Sequence, residues 1–220
     1  MMAQSNLRCA LLLCGETRSR VYSPKDRRAA YIFGDAGTAA LIVRGESYGT
    51  SSFSLNTDGS QADLIMIPAG GYRHMSSPDT LREQVVDDYG NIRTAEQARM
   101  DGANVMSVVV GQVPKDVRRL CELTGTDLHS LDYYLFHQAN AFINSFLVHK
   151  LRLDEARVPQ SIARFGNTSS ASIPLTIATC LQGRLQGRQR VLLSGFGVGM
   201  TWATAIVPFA DCHVSPLVEI

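Results

Sequence analysis

The run Leu131-Asp132-Tyr133-Tyr134-Leu135-Phe136 stops abruptly at His137-Gln138-Ala139-Asn140, and a helical pattern from Ala141 to Leu151 follows at once. The apolar part has the length of a strand and is too short for a helix. A strand that feeds directly into a helix is the building unit of a layered α/β fold. A second junction of the same kind follows. Val158–Phe165 leads into Gly166-Asn167-Thr168-Ser169-Ser170-Ala171-Ser172-Ile173-Pro174, with a helix predicted from about Ser170 to Leu181 and Gly183 beyond it. Layered α/β sheets build their sites outside the C-terminal ends of strands. The two junctions therefore predict His137 and Asn167 on neighbouring strand ends, aimed at one pocket.

Composition excludes several alternatives. The 220 residues carry a net charge of +1, with 45% hydrophobic and 19% charged. That balance leaves no electrostatic footprint for nucleic acid or an anionic membrane surface. Cys9, Cys14, Cys121, Cys180 and Cys212 are scattered, with no CxxC pair and no metal-ligand spacing, as in a reduced cytoplasmic protein without a metal site. Leu7–Cys14 is apolar but far short of the roughly 20 residues a membrane helix takes, and no small-residue cleavage site follows. It is expected to be a buried strand, covered on both faces.

The rest of the chain fits the same class. Tyr31–Val43 predicts a strand, a tight turn at Gly34-Asp35-Gly37 and a second strand. The glycine spacing fits no phosphate-binding motif, so a structural turn behind the site is expected. Phe53–Ile67 predicts a strand pair around Asp58-Gly59. Pro68–Asn91, rich in Gly, Ser, Pro, Asp and Arg, predicts a long loop, with His74 a surface residue. A helix is expected over Ala95–Leu123, with Met100, Val105, Met106, Val109, Val113 and Val117 on its apolar face. Pro114 should kink or split it, and Gly125 should cap it. Arg190–Val207 predicts two antiparallel strands around the glycine-rich turn Gly195-Phe196-Gly197-Val198-Gly199.

Each polar feature has a bland use: a satisfied core histidine, an asparagine cap, a hairpin turn. Their coincidence is more specific. A neutral imidazole and a carboxamide can both donate to a thioester oxygen that becomes an enolate. A glycine-rich turn can offer a backbone N–H to a second oxyanion, and such preorganised donors are worth a few kcal/mol each.

These stretches resemble a known family. HQAN at 137–140, GNTSSASIP at 166–174 and GFGVGMTW at 195–202 are similar to the C-terminal half of β-ketoacyl-acyl carrier protein synthase III. FGDAGTAA from Phe33 resembles the segment joining that family's halves, and Met100-Asp101-Gly102 the start of its second-half helix. The resemblance implies a thiolase-like fold: a C-terminal βαβαβαββ half over 95–220, the last strands of an N-terminal half over 1–67, and a long loop over 68–94. It implies a decarboxylating Claisen condensation, with acyl-CoA and malonyl thioesters as substrates and no cofactor. Acyl carrier protein is the implied partner, and because a missing half would leave one face of the sheets exposed, a homo-oligomer or pairing with an N-terminal half is expected. His137 and Asn167 would hold the malonyl thioester oxygen, Val198 N–H would be an oxyanion donor, and Phe196, Gly197, Gly199, Gln138 and Asn140 would shape the site. Phe142 stands where the family often carries an arginine used in carrier docking.

The family's nucleophilic cysteine lies on a helix before the strand matched to Leu7–Cys14, so no residue of this chain is expected to be the nucleophile. Cys9 and Cys14 lie within an apolar strand, with no helix N-terminus to lower a thiol pKa. Two classes of function follow. One is the C-terminal part of a condensing acyltransferase, condensation-incompetent alone and pairing with an N-terminal half. The other is a non-catalytic thiolase-fold subunit that supports a catalytic partner.

Overall fold

The computed structural model describes residues 6–45 and 49–219. An antiparallel ribbon of β1 (Cys9–Glu16) and β2 (Ala36–Val43) opens it, with Leu11 opposite Leu41 and Leu13 opposite Ala39. One face of the ribbon lies against the turn 169–171 and helix α4 (Ser172–Cys180). The other, carrying Leu11, Leu13, Leu41 and Val43, is exposed. The expectation of a strand covered on both faces is thus corrected: among the described residues nothing packs on the outer side. Two strands make too narrow a layer to bury both of their own faces.

The chain between these strands also departs from the predicted pattern. Tyr31–Phe33 is not a strand; Ala30–Ile32 forms a 3-10 turn, and Phe33 keeps one parallel bridge, to Asn167. Stacking of Phe33 on Tyr22, with ring centroids 4.2 Å apart, holds the turn against the 17–29 segment. Gly34 is the structural turn expected. A Cβ there would fall 2.0 Å from the Phe165 carbonyl oxygen, so only glycine permits the approach.

The main sheet has four strands in the order β3 (Ser52–Thr57), β10 (Thr201–Ala210), β9 (Arg188–Gly197), β8 (Tyr133–Phe136). β8 and β9 run parallel and the other pairs antiparallel. The crossover from β8 to β9 carries α2 (Ala141–Leu151), α3 (Ile162–Phe165) and α4. The strand pair predicted around Asp58-Gly59 is not a hairpin. Asp58 caps a 3-10 turn at Gly59–Leu64 instead, accepting from Ser60 N at 3.0 Å. β3 pairs with β10, whereas β4 (Ile65–Met66) pairs with β7 (Arg99–Met100). The loop between them holds only the two-residue pair β5 (Gln84–Val85) and β6 (Ile92–Arg93).

Helix α1 (Gly102–Thr124) starts seven residues later than its periodicity predicts, because Arg99 and Met100 are drawn into β7. Asp101 caps it, accepting from Asn104 N at 3.1 Å, and Gly125 ends it at φ 61°. Pro114 does not split the helix; it is buried with Val113 and Val117, and packing outweighs its cost.

Strand alternation divides the core. Tyr134, Phe136 and Leu192 face α1 and α2, meeting Val109, Val113, Val117 and Leu147. Leu135 and Val191 face the opposite way, onto Leu181 and Leu185. Each such aliphatic side chain contributes about 2 kcal/mol by burial.

One polar cluster interrupts the α1 side. Asp116 is buried, and its Oδ1 accepts from Ser54 Oγ at 2.5 Å and Asn56 Nδ2 at 2.8 Å. Its Oδ2 accepts from Thr204 Oγ1 at 2.6 Å. Thus α1 is pinned to the edge strand β3 and its neighbour β10. The βαβαβαββ order expected from the resemblance is met except at its third strand. There the structure has α3 and the lone Phe33–Asn167 bridge, since Gly34 N donates to Asn167 O and Asn167 N to Ile32 O, at 3.1 and 2.7 Å.

Candidate active site

The C-terminal end of β8 opens on a cavity of about 650 Å³, whose wall includes His137, Asn140, Asn167, Phe196, Gly197 and Val198. His137 is carried there by the sheet ladder, its N–H donating to Ser194 O at 2.8 Å. Asn140, the next polar residue of the motif, caps α2 by accepting from Ile143 N at 2.8 Å.

Asn167 reaches the same cavity by another route. The sequence pattern put it at a strand end; it follows α3 instead, because Pro159 and the contacts of Ser161 turn the chain into a short helix. Its Oδ1 accepts from Ser169 N at 2.9 Å, and its Nδ2 lies 3.4 Å from Ala139 O, on the loop that follows His137. The bond to Ser169 N is a local turn contact rather than a helix cap, since Thr168 and Ala171 hold the cap positions of the 169–171 turn and of α4.

Gln138 and Gly199 do not line the cavity. Gln138 is a brace: Nε2 donates to Phe136 O at 2.9 Å, and Oε1 accepts from Ser161 N and Ile162 N at 3.0 and 3.2 Å. Gly199, at φ 140°, makes the sharp turn that brings Val198 to the wall; Val198 itself is exposed there. Phe196 meets the His137 ring edge-on, with centroids 5.2 Å apart.

Electrostatics fix the state of the histidine. His137 is half-buried at the cavity wall yet closely surrounded by protein atoms, and this desolvation pushes its pKa from 6.5 down to about 4. Arg18 acts in the same direction, against the Ser169 backbone and Glu16. The imidazole is therefore neutral near pH 7, able to donate a hydrogen bond without carrying charge.

Sequence reasoning missed several members of the site. Arg18 lines the cavity, its Nη2 donating to Ser169 Oγ at 2.8 Å and its Nε pairing with Glu16 at 3.1 Å. Glu16 also accepts from Ser170 Oγ at 2.6 Å, so β1 is fastened to the asparagine loop. Within an irregular basic stretch Arg18 carries no periodic signal. Ser172 lies inside the quoted motif, and its Oγ is 2.7 Å from His137 Nδ1.

None of the described cysteines lines the cavity. Cys9 is exposed on β1, and burial pushes the Cys121 thiol pKa up, away from a reactive thiolate. Among the described residues no group of His, Cys, Asp and Glu could hold a metal ion. No described helix is long and apolar enough to cross a membrane.

Comparison with known proteins gives one answer. A model of 3-oxoacyl-[acyl-carrier-protein] synthase III matches residues 1–59, and one of the C-terminal part of the same enzyme matches 121–209. A Beta-ketoacyl-[acyl-carrier-protein] synthase III of Streptococcus pneumoniae is 32% identical over 209 residues, 94% of this chain and 61% of its own length. A crystal structure of a 3-oxoacyl-(acyl-carrier-protein) synthase III superposes with a TM-score of 0.86 at 36% identity, over 92% of this chain and 60% of that one. A 3-oxoacyl-(acyl-carrier protein) synthase from Burkholderia xenovorans gives 0.85 at 34% identity, over 97% and 59%. The chain spans about three-fifths of the length of the relatives it matches, and its architecture is the thiolase-like fold of those enzymes. On motifs, fold and both matched segments, the chain belongs to the 3-oxoacyl-[acyl-carrier-protein] synthase III family.

Proposed function

We propose that this chain provides the malonyl-activating part of a 3-oxoacyl-acyl carrier protein synthase III-type acyltransferase, working on acyl-CoA and malonyl thioesters in the cytoplasm without a cofactor. One observation carries the reading: a neutral imidazole and a carboxamide, delivered by separate segments, share the wall of one cavity. His137 and Asn167 donate to the thioester carbonyl oxygen of a malonyl group. As the carboxylate leaves as CO₂, the electron pair of the breaking C–C bond moves into the enolate, whose oxygen the same donors stabilise. The enolate carbon then attacks an acyl thioester, whose oxyanion is met by the Val198 N–H; its collapse breaks the acyl C–S bond, expels the acyl-carrying thiolate and leaves the 3-oxoacyl thioester. Phe196 and Gly197 give that space its walls, Asn140 caps the helix behind it, and Gln138 and Gly199 hold the backbone that shapes it.

The acyl-carrying thiol of this scheme comes from outside the described residues, so the isolated chain is condensation-incompetent but decarboxylates malonyl thioesters. The exposed row Leu11, Leu13, Leu41 and Val43 supports pairing, either with an N-terminal half or with a second copy. Acyl carrier protein is the proposed donor of the malonyl group. The test is CO₂ release from malonyl-CoA by the chain, alone and supplied with an N-terminal half from a relative. Activity lost in His137→Ala and Asn167→Ala supports the reading; no activity in folded, reconstituted protein sinks it.

A second reading follows from the absence of any described cysteine at the cavity: a non-catalytic subunit that stabilises a catalytic partner. It predicts that His137→Ala leaves the partner's activity unchanged.

A further inference from the structure

Ser172 is the first residue of α4, and its hydroxyl is buried in the corner between that helix and the end of β8. It has two hydrogen-bond partners there: the Gln138 backbone N–H, 3.3 Å away, and His137 Nδ1, 2.7 Å away. A hydroxyl has one proton to give and two lone pairs with which to accept. The amide can only donate. Were Nδ1 protonated as well, the serine proton would find no acceptor at either of the hydroxyl's partners, and the neighbouring Ser169 carbonyl is already taken by the Ser172 backbone N–H; leaving a buried hydroxyl proton unpaired is costly. The proton inventory closes one way: Ser172 donates to Nδ1.

We propose that Ser172 is a positioning residue, holding His137 in the tautomer whose proton sits on Nε2 and so giving the cavity a donor rather than an acceptor. The serine is itself held. The Thr176 hydroxyl donates to the Ser172 carbonyl at 2.8 Å and contacts Ser161 Oγ at 2.7 Å. Ser161 N in turn donates to Gln138, whose own N–H reaches Ser172. The ring is fixed on two sides, by the hydroxyl at Nδ1 and by the edge-on Phe196. Burial keeps it uncharged, so the choice of tautomer decides what it offers a ligand.

The consequence for catalysis rests on the function proposed above; the tautomer itself does not. An oxygen-binding site built from His137 and Asn167 needs two donors. The Nδ1–H form would turn a lone pair on Nε2 toward the thioester oxygen and oppose binding of the enolate.

The test is ¹⁵N NMR of the full chain labelled at histidine, with the His137 signals assigned by their loss in His137→Gln. Wild type should show a protonated-type Nε2 and an unprotonated-type Nδ1 at pH 7. Ser172→Thr, which keeps the hydroxyl, should preserve that pattern, and Ser172→Ala should shift both nitrogens toward a mixture. A wild-type Nδ1–H signature, or a Ser172→Ala spectrum unchanged at both nitrogens, overturns the proposal. In malonyl-CoA decarboxylation Ser172→Ala should lower kcat by roughly tenfold with KM nearly unchanged, and Ser172→Thr should recover most of it. An Nε2–H tautomer set by Ser172 without any decarboxylation would refute the proposed function and leave the positioning role standing.

Discussion

Replacing Asp116 tests whether the polar cluster between α1 and the sheet holds the fold or merely occupies it. The carboxylate accepts three hydrogen bonds, from Ser54, Asn56 and Thr204, at 2.5 to 2.8 Å. Bonds to a charged acceptor are worth about 1.5–3 kcal/mol each, and part of that sum is returned because the variant no longer buries a charge. Thr204 is 2% exposed, so its hydroxyl cannot turn to water when the acceptor goes. Ser54 and Asn56, on the edge strand, are only half-buried and recover some solvation. Asp116→Ala is therefore expected to cost about 3 kcal/mol, which for a chain of this size lowers Tm by roughly 6–12 °C. Asp116→Asn keeps one carbonyl acceptor, and the Thr204 hydroxyl can rotate to meet the new amide, so about 1 kcal/mol is expected. Urea unfolding of wild type, both variants, Thr204→Val and the Asp116→Ala/Thr204→Val pair would measure these terms. Less than about 1 kcal/mol lost in Asp116→Ala, or strict additivity in the pair, would refute the account.

Three further outcomes are expected. The folded His137 has a pKa below its unfolded value, so between about pH 6.5 and 4 the unfolded chain binds more protons and stability falls as pH falls. His137→Gln should remove about 2 kcal/mol of that acid sensitivity; urea midpoints at pH 7.5 and 4.5 that change equally in both proteins would contradict it. Gly34→Ala should destabilise by about 2 kcal/mol or more, because its Cβ would collide with the Phe165 carbonyl, and should depress malonyl-CoA decarboxylation by displacing Asn167. Unchanged melting and activity would show that the Phe33–Asn167 bridge has no role in the site. Leu11→Lys with Leu41→Glu, an opposite-charge pair across the ribbon, should leave the chain's stability within about 0.5 kcal/mol and weaken its pairing with an N-terminal half or a second copy in sedimentation experiments. Equal association of the variant would mean that this face is not where a partner binds.

The site was legible where local pattern and position coincide. An apolar run of strand length ending at His137, followed at once by helical spacing, fixes a strand-to-helix junction there, and α2 begins and ends where its periodicity says. That Asn167 would meet His137 at one cavity was legible, but its mounting was not. Val158–Phe165 is apolar enough for a strand, yet Pro159 and the Gln138 brace at Ser161 and Ile162 turn it into a short helix. Those contacts join residues more than twenty positions apart, which periodicity cannot register. Tyr31–Phe33 failed for a related reason: its strand character was overridden by stacking on Tyr22 and backbone bonds to the preceding loop. Asp116 is the reverse case. Spacing of three from Val113 and four from Leu120 puts it in the apolar stripe of α1, but that a charge could remain there depends on Ser54, Asn56 and Thr204, distant in the chain.

The two backbone anchors of the site carry a consequence for how the molecule is made. His137 N–H takes its acceptor from Ser194, which is synthesised later, whereas Asn167 hangs on Ile32 and Gly34, which are synthesised far earlier. A growing chain can thus seat the Asn167 backbone as soon as that residue emerges, but it cannot anchor His137 until β9 has left the ribosome. Until Asn167 arrives, the 30–34 segment waits with its bridging groups bare. The cavity is completed only when β9 and β10, which supply part of its wall, have followed, and nascent chains halted before β9 should bind no thioester.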